Sequence, residues 1–256
     1  MQDKLSELIM NAEALVSSGY YGQGARHYEG ASLSRSLTTH ATFPVIAEIK
    51  LASPSMGRLS TYGPRKLIDD YVRGGAAALS VLTEPRFFHG SLKNLELGRQ
   101  SGLPMLMKDV VINEDQVRAA SLHGAGAVLL IQEVFDHAIS PGRRDDLIDC
   151  AHNWGLEVVL EATSEEGLNK ARDSEADLLG INQRDLRTLK VDLTKAMAFL
   201  PLLSEEDRPI IVMSGIGSRA VIEGIRDHGG DAVLVGGHLS SAKDAEETLR
   251  ALEVPR

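Results

Sequence analysis

The chain has 256 residues, 43% hydrophobic and 25% charged, with a formal net charge of −9. That is an ordinary globular composition with room for one large α/β domain or two small ones. The acidic balance without a dense Lys/Arg run argues against sequence-independent nucleic-acid binding. No stretch approaches the roughly 20 apolar residues of a membrane helix.

Residues 3–16 pattern as an amphipathic helix, and 19–40 are polar, Gly/Ser-rich and read as a loop. The charged opening Met1–Glu7 is not expected to act as a secretory signal. From residue 44 short apolar runs recur at 45–49, 78–82, 105–107, 127–131, 157–160, 178–181, 210–213 and 232–235. Amphipathic segments of helix length lie between them, at 64–73, 114–123, 143–153, 165–174, 218–228 and 243–252. Several open on helix-start residues such as Asn113 and Ser164. This alternation predicts a parallel sheet with right-handed crossovers. Eight units in about 210 residues suit a (β/α)8 TIM barrel, with an open doubly wound sheet as the alternative. The expected layout is a single domain over 1–256, with an N-terminal helical extension at 1–43 and a barrel core at 44–252.

Polar residues fall at the ends of the runs. Glu48 and Lys50 are two apart on a strand and so share a face. Burying such a pair does little for stability, because desolvation costs about what pairing returns. Thr83-Glu84, Lys108-Asp109, Gln132-Glu133, Glu161, Asn182, Ser214-Gly215 and Gly236-Gly237 end the other runs. A barrel builds its active site at that end of the strands. The glycine turns at 214–217 and 236–237 suit a phosphate held by backbone N–H groups and a helix N-terminus. The string Gly215-Ile-Gly217-Ser-Arg-Ala220 fits a dinucleotide fingerprint loosely, but it lies in the seventh unit.

Neither a Walker loop, His-Glu-x-x-His nor Cys-x-x-Cys occurs, and the eight histidines lack ligand spacing, so no metal site is expected. The single Cys150 leaves no intramolecular disulfide and suits a reducing cytoplasm. Cys150 and Trp154 read as packing. Phe87-Phe88 would either cover a flat substrate or close the barrel top.

Taken in order, these pieces resemble indole-3-glycerol phosphate synthase of tryptophan biosynthesis over about residues 44–252. They are Glu48-Ile-Lys50 with Ser53-Pro-Ser55, Thr83-Glu84 with Phe88-x-Gly90-Ser91, and Pro104-x-Leu-x-Lys108-Asp109. Then come Val128–Ile131, Glu161, Gly180-Ile-Asn182-x-Arg184-Asp185-Leu186, Ser214-Gly215-Ile216 and Gly236. The resemblance implies a cofactor-free TIM-barrel lyase with an N-terminal extension that helps cap the substrate. It would convert 1-(2-carboxyphenylamino)-1-deoxyribulose 5-phosphate to indole-3-glycerol phosphate with loss of carbon dioxide and water. By resemblance Lys108 is the ring-closing acid, with Glu48 as its orienting partner. Lys50 and Glu161 are the dehydration pair, with Glu48 as the alternative base. Asn182 would bind sugar hydroxyls, and Arg184 an anionic group. Lys50 and Ser53 would bind carboxylate or phosphate. Ser214, Gly215, Gly236 and Gly237 would cradle phosphate, and Phe88 would line the anthranilate pocket.

Four positions depart from the family pattern. Met213 stands where a glutamate is usual, Leu51 and Met56 replace basic residues, and Gly237 replaces Ser or Glu. Alternatives are a divergent enzyme of another phosphorylated ketose and a weakly catalytic phosphosugar-binding subunit. Phosphoribosyl anthranilate isomerase fits less well, because run 1 lacks a cysteine. The expected partner is a small phosphorylated substrate, with no nucleic acid and no membrane. A cytoplasmic monomer is expected, with association with another tryptophan-pathway enzyme left open.

Overall fold

Eight strands frame the computed structural model, which describes residues 3–22, 27–137 and 141–256. They are β1 (Val45–Ile49), β2 (Ala78–Leu82), β3 (Met105–Lys108), β4 (Ala127–Ile131), β5 (Glu157–Ala162), β6 (Leu178–Asn182), β7 (Ile210–Met213) and β8 (Ala232–Val235). Each pairs in parallel with its neighbour in sequence. β1 also pairs with β8, Ile46 opposite Leu234, so the sheet closes into a (β/α)8 barrel rather than an open sheet.

Side-chain alternation sorts the strand residues into two layers. Ile46, Leu106, Leu129, Val159, Leu178, Ile211 and Leu234 join one buried cluster inside the barrel. Val45, Ala47, Val81, Val128, Leu160, Val212 and Val233 join another, between strands and outer helices. Cys150 and Trp154 pack against this outer layer, as expected. The helices are α1 (Lys4–Ser17), α2 (Leu33–Thr39), α3 (Pro64–Arg73), α4 (Leu92–Gly98), α5 (Glu114–His123), α6 (Gln132–His137), α7 (Pro141–Asn153), α8 (Glu165–Arg172), α9 (Thr194–Phe199), α10 (Arg219–Asp227), α11 (Gly237–Ser240) and α12 (Ala245–Ala251). Asn113, Ser164 and Ser218 cap α5, α8 and α10 by accepting backbone N–H groups.

The segment 19–40 is not simply a loop. It holds a 3-10 turn at Tyr20–Gly22 and the helix α2, while residues 23–26 lie outside the described residues. α2 shows only two apolar residues, Leu33 and Leu37, too few to register as a helical period. Tertiary contacts make it a helix. Both leucines are buried in the barrel's interior cluster, worth about 1.5–3 kcal/mol each. Its first turn sits on the carboxylate of Glu157, which opens β5. Glu157 accepts Leu33 N–H at 2.5 Å, Ser34 N–H at 3.1 Å and the Ser32 hydroxyl at 2.8 Å. A carboxylate there satisfies orphan donors and suits the helix dipole. Ser36 donates to Ala77 O at 2.7 Å, just before β2. α2 therefore plugs the N-terminal end of the barrel.

α1 covers the opposite end. Leu5, Leu8, Ile9 and Ala12 join the interior cluster. Asn11 donates to Glu84 Oε1 at 2.9 Å, beyond the end of β2. Helices α4, α6, α9 and α11 leave no mark on the sequence pattern. Each is seven residues or shorter, less than two turns of periodic signal.

Candidate active site

The inward residues at the C-terminal ends of six of the eight strands set the chemistry. These are Glu48 in β1, Lys108 in β3, Glu161 in β5, Asn182 in β6 and Met213 in β7, with Gly236 directly after β8. They surround a cavity of about 420 Å³ that opens at this end, a size suited to a small ligand. The other candidates, Lys50, Ser53, Phe88, Arg184, Ser214, Gly215 and Gly237, line the same cavity. Leu5 and Leu8 of α1 also line it. Their amphipathic spacing is visible in the sequence, but what they cover is not.

Two lysine–carboxylate pairs face the cavity. Lys50 Nζ lies 3.3 Å from Glu48 Oε1, and Lys108 Nζ lies 3.4 Å from Glu161 Oε2. Asn182 Nδ2 donates to Glu161 Oε1 at 3.0 Å, so both carboxylate oxygens are engaged. Arg184 N–H in turn donates to Asn182 Oδ1 at 3.0 Å. The carboxylate in direct contact with Lys108 is thus Glu161. Glu48, expected as its orienting partner, contacts Lys50 and reaches Lys108 through its field. Burial by itself would lower the Lys108 pKa. The charges of Glu161 and Glu48, with the Glu161 hydrogen bond and Asp109, outweigh it and hold the ammonium above the ordinary lysine value. Burial lowers the pKa of Arg184, partly offset by Glu48. Its Nη1 donates to Leu189 O at 2.7 Å, which leans the guanidinium along the wall.

Gly236 has a steric reason to be glycine. A methyl there would collide with Glu48 Oε1, so the missing side chain makes room for the carboxylate. Gly215 has φ +78, and a Cβ would come within 2.6 Å of Leu193 and Val191. Ser214 before it holds φ +72, a strained value for serine, and its carbonyl accepts Gln183 Nε2–H at 2.8 Å. This turn aims the backbone around 214–217 toward the cavity. α11 begins at Gly237 on the same rim.

Some polar strand ends do other work. Glu84 is a clasp: its carboxylate accepts Arg86, Phe87 and Phe88 N–H groups at 2.6, 2.7 and 3.1 Å. That shapes the loop presenting Phe88, whose ring centroid is 5.7 Å from Lys50 Nζ. Phe87 instead lies beneath Lys4 of α1, 4.5 Å from its Nζ. Glu133 accepts Thr163 N–H at 2.6 Å and its hydroxyl at 2.8 Å. Burial raises its pKa. Met213 is 1% exposed. Its methyl would lie 2.9 Å from a Cβ at Gly180, so glycine in β6 leaves space for it. Met56 projects from the hairpin formed by Ala52–Ser53 and Gly57–Arg58 and is exposed. Among the described residues no group of three His, Cys, Asp or Glu side chains is placed to hold a metal ion.

The sequence matches the family description "Indole-3-glycerol phosphate synthase" over residues 18–252. It is 40% identical over 213 residues to an indole-3-glycerol phosphate synthase of Dehalococcoides mccartyi strain CBDB1, covering 81% of this chain and 80% of that one. To a Methanopyrus kandleri protein of the same name it is 39% identical over 230 residues, covering 87% of each. Among solved structures, a mutant tryptophan synthase alpha-subunit from Pyrococcus furiosus superposes with a TM-score of 0.61 at 14% identity. That match covers 84% of this chain and 99% of the other, a likeness of fold alone. Family match, relatives and fold agree: the chain belongs to the indole-3-glycerol phosphate synthase family.

Proposed function

We propose that the chain converts 1-(2-carboxyphenylamino)-1-deoxyribulose 5-phosphate to indole-3-glycerol phosphate, with Lys108 as the acid that starts ring closure. This makes it a decarboxylating, ring-closing lyase of tryptophan biosynthesis. The observation that carries the assignment is the Lys108–Glu161–Asn182 network inside the cavity. An ammonium kept charged by carboxylates and aimed into a cavity is equipped to protonate a carbonyl oxygen.

As the aromatic carbon bearing the carboxylate attacks the ketone, Lys108 gives its proton to the oxygen that becomes a hydroxyl. Loss of carbon dioxide restores the aromatic ring. The hydroxyl then leaves as water, which needs an acid at the oxygen and a base for the proton lost on ring desaturation. Lys50 and Glu161 supply that acid and base, with Glu48, paired with Lys50, as the alternative base. Glu161 also holds Lys108. Asn182 binds sugar hydroxyls, and Arg184 with Ser53 binds the carboxylate. Lys50 lies within reach of either anionic end. The phosphate sits on the backbone of Ser214, Gly215, Gly236 and Gly237, and Phe88 lies against the anthranilate ring. Catalysis in this scheme draws only on side chains, with no metal or organic cofactor.

A fluorescence assay of indole product formation tests this. A fall in turnover of about 10²–10⁴-fold in Lys108→Ala supports the scheme, and near-wild-type activity in that variant refutes the acid assignment. Met213 favours a second reading, a related barrel lyase for another phosphorylated ketose. A rise in turnover in Met213→Glu would argue for the first reading, and a fall for the second.

No helix of the described residues is long and apolar enough to cross a membrane. We take the working form to be a cytoplasmic monomer in which the extension and the barrel unfold together. Sedimentation and a single unfolding transition test that assignment.

A further inference from the structure

The N-terminal segment touches the catalytic strand at a point separate from the two ion pairs. Tyr21, in the turn after α1, is 1% exposed and donates its hydroxyl to Asp109 Oδ2 at 2.9 Å. Thr83, fully buried beyond the end of β2, donates to the same oxygen at 2.6 Å. Val110 N–H donates to Asp109 Oδ1 at 2.8 Å, so the Asp109 side chain holds the backbone that directly follows Lys108. Tyr20, edge to face with Tyr21, donates to Thr83 O at 2.9 Å and braces the same cluster. Asp109 is 5% exposed and borders the cavity.

Burying a carboxylate is costly, and accepting Val110 N–H alone needs no charge, since an amide oxygen accepts as well. The charge has a use one residue away. Asp109 adds to Glu161 and Glu48 in favouring the ammonium form of Lys108.

We propose that Tyr21 and Asp109 are positioning residues for Lys108. The extension, through the Tyr21 hydroxyl, holds the Asp109 carboxylate against the end of β3. That carboxylate fixes the backbone directly after Lys108 and adds to the field that keeps it protonated. The inference rests on Lys108 being the ring-closing acid.

The titratable groups facing Asp109 are Tyr20 and Tyr21 from the extension, Glu84 from the loop after β2, and Lys108 on its own strand. Burial pushes the Asp109 pKa up to about 6 and Glu84 adds to the push, while Thr83, Tyr21 and Val110 hold it down by donating to the ionised form. Burial and the Asp109 charge push the Tyr21 pKa well above the ordinary phenol value, so it remains a donor. Loss of the Tyr21 hydroxyl therefore raises the Asp109 pKa further. In stability the sign is the reverse of an ordinary ion-paired carboxylate. The raised pKa makes folding more favourable below about pH 4 than above pH 6.

The test is Tyr21→Phe, which keeps the ring, with Asp109→Asn beside it. Two readouts apply: kcat against pH, and titration of the Lys108 ammonium by 1H–15N NMR. Tyr21→Phe should lower kcat up to about 100-fold, the cost of misplacing a catalytic group by about an ångström. KM should change little, and the acidic limb of kcat should move to higher pH. Asp109→Asn should remove that limb and lower the Lys108 midpoint. Unchanged kcat and acidic limb in Tyr21→Phe would overturn the proposal, even if the melting temperature drops. So would an unmoved Lys108 midpoint in Asp109→Asn. If Asp109→Asn does not fold, Tyr21→Phe alone decides. A wild-type protein that does not turn over this substrate would defeat the function reading, and the NMR midpoint would still decide the coupling.

Discussion

The two ends of the barrel solve opposite problems with the same strands. At the N-terminal end α2 drives Leu33 and Leu37 into the interior, and Glu157 spends its charge on that helix's first turn. At the C-terminal end the strands finish in Glu48, Lys108, Glu161 and Asn182, and the interior stays open as a cavity. Backbone strain divides the same way. Left-handed turns leading from helices into strands use Gly75, Gly102, Gly124, Gly155 and Gly229, where glycine bears no steric cost. Among the described residues, the non-glycine residues with positive φ, His89, Leu189 and Ser214, all lie in loops after strands. One end is built for stability. The other accepts strain and buried charge in exchange for chemistry, the division expected of this barrel.

Substitutions at matched positions can break or sharpen that contrast. Lys108→Ala should cost the most, about 10²–10⁴ in kcat, with little change in melting temperature. Equal losses of stability and rate would erase the distinction between the ends. Leu33→Ala should do the converse. Chemical denaturation should show a loss of about 2–5 kcal/mol, while the folded fraction keeps its turnover number. The glycines make a finer pair. A methyl at Gly236 meets Glu48 Oε1, whereas one at Gly126 meets the carbonyl oxygen of Ala31, just before α2. Gly236→Ala should lower kcat up to about 100-fold by displacing Glu48, and Gly126→Ala should lower stability and spare the rate. Glu157→Gln should have the smallest effect, about 0.5–2 kcal/mol from a weakened cap, measured by denaturant midpoint at constant slope.

Much of the site is legible in the amino-acid sequence. Glu48 and Lys50 stand out because two charges share one face of an apolar strand. Lys108, Glu161 and Asn182 stand out because each ends such a strand. Which carboxylate contacts which lysine is not legible. Lys108 meets Glu161 across β4, and the Glu48 carboxylate turns instead to Lys50. Glu84 folds back onto its own loop, and Glu133, an equally polar strand end, reaches the backbone after β5. At sequence level a clasp and a catalytic acid look the same.

The sequence alone determined the alternation of strand and helix, the side of each strand that faces inward, and the end at which charge collects. Those features follow from local periods of 2 and 3.6 residues. Tertiary structure decided that 33–39 would be helical, that Gly236 would yield space to Glu48, and that Tyr21 would reach Asp109. Each depends on atoms at least 88 residues apart in the chain, which the closed barrel brings together.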